Sequence, residues 1–211
     1  VASWFEERYS APVNEDWVVY SPSVMYSVSV LVWLTTNPGE SVLTLSPMYD
    51  SFPGAIEGNA RHMVASSLLR GTGNAHYQLD FSDLSEKAKR CKAFLLCSPH
   101  NPTGRMWMKD ELFGIANICK DNNLYLITDE IHADIQLTNR RNQSAITLRD
   151  VWDKVVVASS ASKIFNTPAL GGSYLIIPDS ELRDAFLQIT RHTDYLNSPT
   201  LPGLYATMVG Y

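Results

Sequence analysis

The sequence lacks an apolar run long enough to cross a bilayer. The longest candidate, Val28 to Leu34, contains Ser29 and Trp33 and falls well short of the roughly 20 residues that a membrane-spanning helix needs. Basic residues are also sparse, since 17 Lys and Arg stand against 22 Asp and Glu, and no Lys/Arg-rich stripe is interleaved with aromatic residues. We therefore expect neither a membrane partner nor a nucleic-acid partner.

Cysteine is scarce as well. Cys91, Cys97 and Cys119 are an odd set without Cys-x-x-Cys spacing, which argues against a disulfide framework and against a zinc knuckle. A reducing, cytoplasmic setting fits this usage. The 211 residues begin at Val1 without an initiating Met or a basic-then-apolar leader, and they contain no repeat or long polar linker. We expect one domain, taken from a longer protein.

Short β-branched or apolar runs alternate with longer segments of helical character. This alternation predicts an α/β fold of three layers, in which helices cover both faces of a mostly parallel sheet. The predicted strands are residues 41–45, 61–65, 92–97, 124–128, 155–158 and 174–177. The predicted helices are residues 24–36, 110–122, 179–191 and a helix from an Asp80 N-cap through Cys91. Residues 70–74 and 138–144 are predicted surface loops.

Three unusual loops follow predicted strands, at residues 98–104, 129–134 and 159–163. In an open parallel sheet, the loops that leave the carboxyl ends of the strands gather at one edge, and ligands bind at that edge. We therefore expect the polar groups of these loops to converge on one site.

The third loop reads SSASK and ends in Lys163, beside a predicted buried strand. Removing an ammonium group from water is costly, so burial there would favour the neutral amine that attacks an aldehyde. The hydroxyls of Ser160 and Ser162, with nearby backbone N–H groups, can hold a phosphate. The alternative, which is commoner for an isolated Ser-x-Ser-Lys, is a lysine that simply extends from the strand end to water.

The second loop begins DEIH, with Asp129 where a predicted strand stops. An ionised carboxylate there can pair with a protonated pyridine nitrogen and keep such a ring electron-poor. A single Asp in this position is more often an N-cap or a solvated acid. A metal site of Asp129, Glu130, His132 and Asp134 is a further alternative, but a helical His-x-x-x-His pair or a second ligand cluster is missing, so we expect no metal.

The first loop reads SPHNPTG and frames Asn101 with two prolines and a glycine. Proline fixes φ and glycine permits a tight return, so this loop can hold the Asn101 amide toward a ring oxygen. Taken alone, the segment is only a stiff turn.

Together, SPHNPTG at 98–104, DEIHADI at 129–135 and SASKIFNTPAL at 160–170 resemble the fold-type I pyridoxal-phosphate (PLP) enzymes. The resemblance is strongest to the branch of class I/II aminotransferase-like proteins that holds the cystathionine β-lyases and cysteine C–S lyases. YSPSVMY at 20–26 and SPMYDSFPGAIEG at 46–58 also match, so the likeness covers nearly the whole chain.

This resemblance implies PLP as the cofactor and gives residues their roles. Lys163 would bind the cofactor covalently, and Asp129 would pair with its pyridine nitrogen. Asn101 and His132 would face the phenolic oxygen, and Tyr49 would stack on the ring.

The resemblance also implies where the phosphate binds. Ser160, Ser162 and the backbone N–H groups around Val24 and Met25 would hold it, because a helix N-terminus has unpaired donors and a dipole that favour an anion. Many aminotransferases have an arginine at this phosphate where the present sequence has Gly171, and usually a Tyr where it has His132. Both departures are typical of the C–S lyase branch. The missing arginine leaves part of the phosphate binding without an assigned residue.

The activity implied is β-elimination on an amino acid with sulfur at its β carbon, such as cystathionine or cysteine, yielding a thiol, pyruvate and ammonia. One alternative is a class I/II aminotransferase that uses the same Lys163 and Asp129. A non-enzymatic alternative is a PLP-fold domain that serves a transcription regulator, and a plain α/β binding domain would make the five motifs coincidence.

Family members are usually homodimers with an added N-terminal segment and a C-terminal small domain that supplies an arginine for the substrate carboxylate. We therefore expect residues 1–211 to be a PLP-binding large domain that forms a homodimer. The final stretch, residues 198–211, is expected to begin the helix that leads toward the small domain.

Overall fold

The computed structural model describes residues 1–71, 77–136, 139, 141–196 and 200–211. None of the helices in these ranges is long and apolar enough to cross a membrane. The strands are β1 (Val18–Ser21), β2 (Ser41–Ser46), β3 (His62–Ser67), β4 (Leu69–Arg70), β5 (Tyr77–Gln78), β6 (Ala93–Cys97), β7 (Tyr125–Asp129), β8 (Val155–Ser159) and β9 (Ser173–Ile176). The α-helices are α1 (Ala2–Tyr9), α2 (Val24–Thr35), α3 (Phe52–Glu57), α4 (Phe81–Ala88), α5 (Lys109–Asp121), α6 (Ser180–Gln188) and α7 (Leu201–Gly210).

All strands except β4 and β5 belong to one seven-stranded sheet, in the order β1-β9-β8-β7-β6-β2-β3. Neighbouring strands run parallel from β3 to β8, whereas β9 is antiparallel to β8 and β1 is antiparallel to β9. The short strands β4 and β5 pair with each other. The predicted mostly parallel sheet is confirmed. The sheet also has an antiparallel edge, formed by β9 and β1, that was not predicted.

Buried side chains separate into two clusters, one on each face of the sheet. Along β6, Phe94 and Leu96 belong to one cluster, whereas Leu95 and Cys97 belong to the other. Helices α1, α4 and α5 pack in the first cluster, and α2, α3 and α6 pack in the second. Strands buried on both faces are apolar throughout, which is the pattern of the predicted three-layer α/β/α fold.

The predicted strands agree with the observed ones to within a residue or two, and the main difference is at a helix end. The predicted helix through Cys91 ends at Ala88, because the Cys91 N–H donates to the Ala88 carbonyl at 3.0 Å in a turn that leads the chain into β6. The predicted helix 179–191 is α-helical only as far as Gln188, and the chain continues as a π-helix over Ile189–Thr193. The predicted loop at 70–74 begins one residue late, because Arg70 pairs in β4. Residues 72–74, 138 and 140 of the predicted loops, and residues 198 and 199 of the final stretch, lie outside the described residues.

The Asp80 N-cap is confirmed, because its Oδ1 accepts the Asp83 N–H at 3.0 Å. We expect Asp80→Ala to lower the free energy of unfolding by about 1 kcal/mol, since this N–H would lose its partner. Asp80→Asn keeps a side-chain oxygen and should retain most of the stability. Urea unfolding of both variants measures the difference, and an equal loss in both would contradict the capping role.

Candidate active site

The carboxyl ends of β6, β7 and β8 lie side by side. Cys97 is paired with Asp129, and Asp129 is paired with Ala158, so the three strands end at the same level of the sheet. The three loops singled out in the sequence therefore leave the sheet at one edge. This is the edge at which ligands bind to parallel sheets.

Asp129 is the last residue of β7 and is only 3% exposed. Burial raises the pKa of its carboxyl to about 6, while a hydrogen bond from the Ile131 N–H (3.1 Å) and the positive charge of Lys163 act in the opposite direction. The carboxyl is therefore mostly ionised at neutral pH and takes up a proton as the pH falls through about 6.

Lys163 lies in a turn beyond β8. The Phe165 N–H donates to the Ala161 carbonyl at 3.1 Å, and this turn carries the lysine side chain into an exposed position. The expectation that Lys163 is buried is therefore wrong for this chain: the strand is buried, but the lysine comes four residues after it. Its charge nevertheless acts on two residues of the neighbouring loop, Asp129 and His132.

His132 and Asn101 are half-buried and border one cavity of about 360 Å³. Burial lowers the pKa of His132, and the charge of Lys163 lowers it further. The imidazole is therefore neutral at physiological pH and can act as a hydrogen-bond partner rather than as a cation. The other residues that line the cavity are Pro99, His100, Pro102, Gly104, Met106 and Ile135.

The loop that presents Asn101 is anchored by His100, which the sequence interpretation did not single out. His100 is 2% exposed, its Nδ1 lies 2.8 Å from Thr103 Oγ1, and its ring packs against Trp107 at 5.3 Å between centroids. Burial lowers the pKa of His100 to about 4, so it is an uncharged packing residue. A single sequence gives no signal that separates such a buried histidine from a ligand-binding one.

The start of α2 supplies backbone donors that have no partner within the helix. The Ser23 hydroxyl accepts the Tyr26 N–H at 3.2 Å, and the first hydrogen bond of the helix runs from the Ser27 N–H to the Ser23 carbonyl at 3.0 Å. The N–H groups of Val24 and Met25 thus have no partner within the helix. Such groups, together with the helix dipole, can bind a phosphate.

Ser160 connects this helix start to the lysine loop. Its hydroxyl donates to the Gly172 carbonyl at 2.7 Å and accepts the Ser162 N–H at 3.1 Å, and the Gly172 N–H donates to the Pro22 carbonyl at 3.1 Å. Ser160 is buried, whereas Ser162 is half-buried. The Ser160 hydroxyl already donates within the protein, so Ser160 is suited to joining the two segments. The Ser162 hydroxyl is the better placed of the two to bind a ligand.

Gly171 has a backbone conformation that only glycine adopts readily, with φ +69° and ψ −178°. A Cβ on Gly203 of α7 would lie 2.5 Å from the Gly171 carbonyl oxygen, so the helix packs directly on this turn. An arginine at position 171 would require a different backbone. This conformation is a physical reason for the absence of the arginine expected from the aminotransferase pattern.

Tyr49 follows β2, the parallel neighbour of β6, and is therefore at the same edge of the sheet. It is half-buried and packs edge-on against Phe52, with ring centroids 5.8 Å apart. This contact fixes one side of the Tyr49 ring. Its predicted stacking on a cofactor stays a prediction.

Glu130 and Asp134, two members of the alternative metal site, are directed to other partners. Glu130 Oε1 accepts the Ala145 N–H at 2.7 Å, and Asp134 accepts hydrogen bonds from aromatic side chains. Within the described part of the chain, no group of three His, Cys, Asp or Glu residues is arranged to hold a metal ion.

The edge of the sheet suits an aromatic aldehyde that carries a phosphate. A primary amine lies there whose charge acts on a buried carboxylate and on a neutral imidazole. N–H groups without a partner in the helix begin α2, beside the turn that Ser160 joins to the lysine loop. These groups match, in order, an aldehyde carbon, a protonated ring nitrogen, a phenolic oxygen and a phosphate.

Residues 1–209 match the sequence model of the family described as aminotransferase class I and II, and the chain belongs to this family. It is 36% identical to protein MalY of Escherichia coli over 212 residues, which cover 100% of this chain and 54% of MalY. It is 34% identical to cystathionine beta-lyase PatB of Bacillus subtilis over 189 residues, 88% of this chain and 48% of PatB.

The fold is also similar to solved structures. The PLP-bound C–S lyase of Staphylococcus hominis superimposes with a TM-score of 0.91 and 29% identity, covering 100% of this chain and 54% of that one. The chain thus spans about half the length of the relatives that it matches.

Glu130 is expected to control the pH dependence of stability. It is 1% exposed, its Oε2 has no hydrogen-bond partner among the described residues, and burial raises its pKa from 4.5 to about 8. Between these two pH values the folded chain holds a proton that the unfolded chain has released. The stability that this group contributes is therefore fully present below pH 4.5 and is lost as the pH rises through about 8.

We expect Glu130→Gln, which cannot ionise, to remove this loss. In urea unfolding, the stability of the variant relative to the unaltered chain should rise steadily from pH 5 to pH 8.5. Glu57→Gln changes an exposed acid and serves as the control. Parallel pH profiles for the unaltered chain and Glu130→Gln would contradict the raised pKa.

Proposed function

We propose that this chain is the PLP-binding large domain of a carbon–sulfur lyase, which eliminates a thiol from cystathionine- or cysteine-type amino acids and releases pyruvate and ammonia. The observation that carries the proposal is the buried Asp129 carboxylate that experiences the charge of Lys163 at the ligand-binding edge of the sheet. His132 and Gly171, together with the names of PatB and the Staphylococcus enzyme, favour a lyase over an aminotransferase.

Five side chains would hold the ring of PLP. The Lys163 amine would bind the aldehyde carbon, and the Asp129 carboxylate would pair with the ring nitrogen. Asn101 and His132 would hydrogen-bond the phenolic oxygen, and Tyr49 would cover one ring face.

The phosphate would be held by the Val24 and Met25 N–H groups and the Ser162 hydroxyl. Ser160, predicted to share this role, would chiefly keep the lysine loop against the turn that precedes α2, because its hydroxyl already donates to the Gly172 carbonyl. Because position 171 is glycine, backbone N–H donors would make many of the phosphate hydrogen bonds that an arginine makes in many aminotransferases.

When bound, PLP supplies an aldehyde that links to the substrate amine and a ring that takes up electrons from Cα. Asp129, ionised above about pH 6, would keep a proton on the ring nitrogen. Lys163, whose side chain is exposed, would act as the general base that takes the proton from the substrate Cα. Neutral His132 would hydrogen-bond the phenolic oxygen without adding a positive charge near the amine.

We also propose a homodimer in the cytoplasm. The cytoplasmic setting is supported by the three cysteines, which are all buried free thiols. The homodimer is proposed from the family resemblance alone. Helix α2 offers little surface for such an interface, because Val28, Leu31 and Val32 are fully buried within the chain.

Pyruvate release from cystathionine by the full-length protein loaded with PLP tests the lyase proposal. We expect Lys163→Ala to lower the rate by about 100-fold or more, because the base at Cα is lost. Lys154→Ala is the matched control, since Lys154 precedes the same strand at its opposite end and should leave the rate unchanged. Amino transfer to a keto acid without pyruvate release would instead establish an aminotransferase.

Asp129→Asn tests the role of the charge. We expect it to lower elimination by about 100-fold or more, because a neutral amide does not stabilise a protonated ring nitrogen. In the unaltered protein, activity should fall as the pH drops through about 6, when the carboxylate is protonated. The visible absorbance of bound PLP shows whether the variant still holds the cofactor, and full activity of a loaded Asp129→Asn protein would contradict this role.

A further inference from the structure

Asp134 is a buried carboxylate, 6% exposed, that accepts three side-chain hydrogen bonds. Its Oδ1 accepts from Trp4 Nε1 at 3.0 Å and from the Tyr9 hydroxyl at 2.5 Å, and its Oδ2 accepts from the Tyr211 hydroxyl at 3.1 Å. We call Asp134, Trp4, Tyr9 and Tyr211 the Asp134 cluster. Trp4 and Tyr9 belong to α1 and Tyr211 follows α7, so the cluster joins the first and last helices of the chain to the loop after β7.

The cluster fixes one end of the loop that carries His132. The other end is Asp129, which the sheet holds through a hydrogen bond from the Ser98 N–H to its carbonyl at 2.9 Å. Between these two points the backbone makes consecutive turns, in which the Ala133 N–H donates to the Glu130 carbonyl at 2.9 Å. His132 thus lies on a short segment that is held at both ends.

Tyr211 also contacts the lysine loop. Its ring packs edge-on against Phe165, with centroids 5.8 Å apart, and Phe165 comes two residues after Lys163. Gly210 lies against the same ring, because a Cβ there would be 2.4 Å from a Phe165 carbon. Tyr211 therefore contacts the loop of Lys163 through its ring and the loop of His132 through its hydroxyl.

We propose that Asp134 is a positioning residue that sets His132 relative to Lys163 through Tyr211. This inference rests on the proposed function, because it assumes that both residues contact PLP. A carboxylate suits position 134, since its two oxygens together accept three donors. Asparagine has one acceptor oxygen and would lose the bond from the Tyr211 hydroxyl, which would keep only its 3.3 Å contact with the Tyr174 hydroxyl.

Asp134→Asn in the full chain loaded with PLP tests this role. We expect the affinity for PLP to fall by about tenfold or more, as for other supporting residues around a bound group. The pH midpoint of the visible absorbance change of bound PLP should also shift by about half a unit, because that midpoint depends on the groups beside the phenolic oxygen and the lysine. Asp83→Asn is the matched control. Asp83 also accepts a hydrogen bond from a hydroxyl, that of Ser66 at 2.6 Å, but it lies in α4 and outside the Asp134 cluster.

Tyr211→Phe is a milder variant for the case in which Asp134→Asn does not fold. It removes the hydroxyl donor and keeps the ring against Phe165, so a smaller shift in the same direction is expected. Tyr205→Phe, an exposed tyrosine of α7, is its control. If Asp134→Asn or Tyr211→Phe only lowers stability, and leaves the PLP affinity and the absorbance midpoint as in the controls, the positioning role is wrong. If the unaltered protein binds no PLP, the proposed function itself fails and this inference fails with it.

Discussion

The site depends on keeping a carboxylate charged where water is largely excluded. Asp129 ends a central strand between two other parallel strands, and its burial opposes ionisation. Two groups counter this effect: the N–H of Ile131, which donates to the carboxylate, and the positive charge of Lys163 from the next loop. The amine beyond the end of one strand thus favours the charged form of the acid at the end of its neighbour.

The order of the strands makes this pairing possible. Strands β6, β7 and β8 are parallel neighbours that end together, so their loops present the Asn101 amide, the Asp129 carboxylate and the Lys163 amine within one region. The helix α2 starts beside the same edge and offers N–H groups that have no partner within the helix. Chemistry from distant parts of the chain is brought together by sheet topology rather than by any local motif.

Much of this was predictable from the sequence. Apolar runs bounded by turn residues predicted the parallel strands because such strands are buried on both faces, and Asp80 marked the start of α4 because a side-chain acceptor there satisfies a free N–H. The antiparallel strand β1 escaped prediction because it is short and carries the mixed sequence VVYS, which has no distinctive period. The exposure of Lys163 depends on a turn after β8, and burial of the strand alone did not reveal it.

Tertiary contacts account for the remaining differences. His100 and Asp134 were visible as residue types, but their roles follow from partners far away in sequence, such as Tyr211, 77 residues after Asp134. The conformation of Gly171 likewise depends on the packing of Gly203 against it. Borohydride reduction of the protein incubated with PLP, followed by peptide mapping, shows whether the Lys163 amine reaches an aldehyde cofactor beside Asp129. We expect a label on Lys163; a label confined to another lysine, or no label, would show that Lys163 does not bind the cofactor.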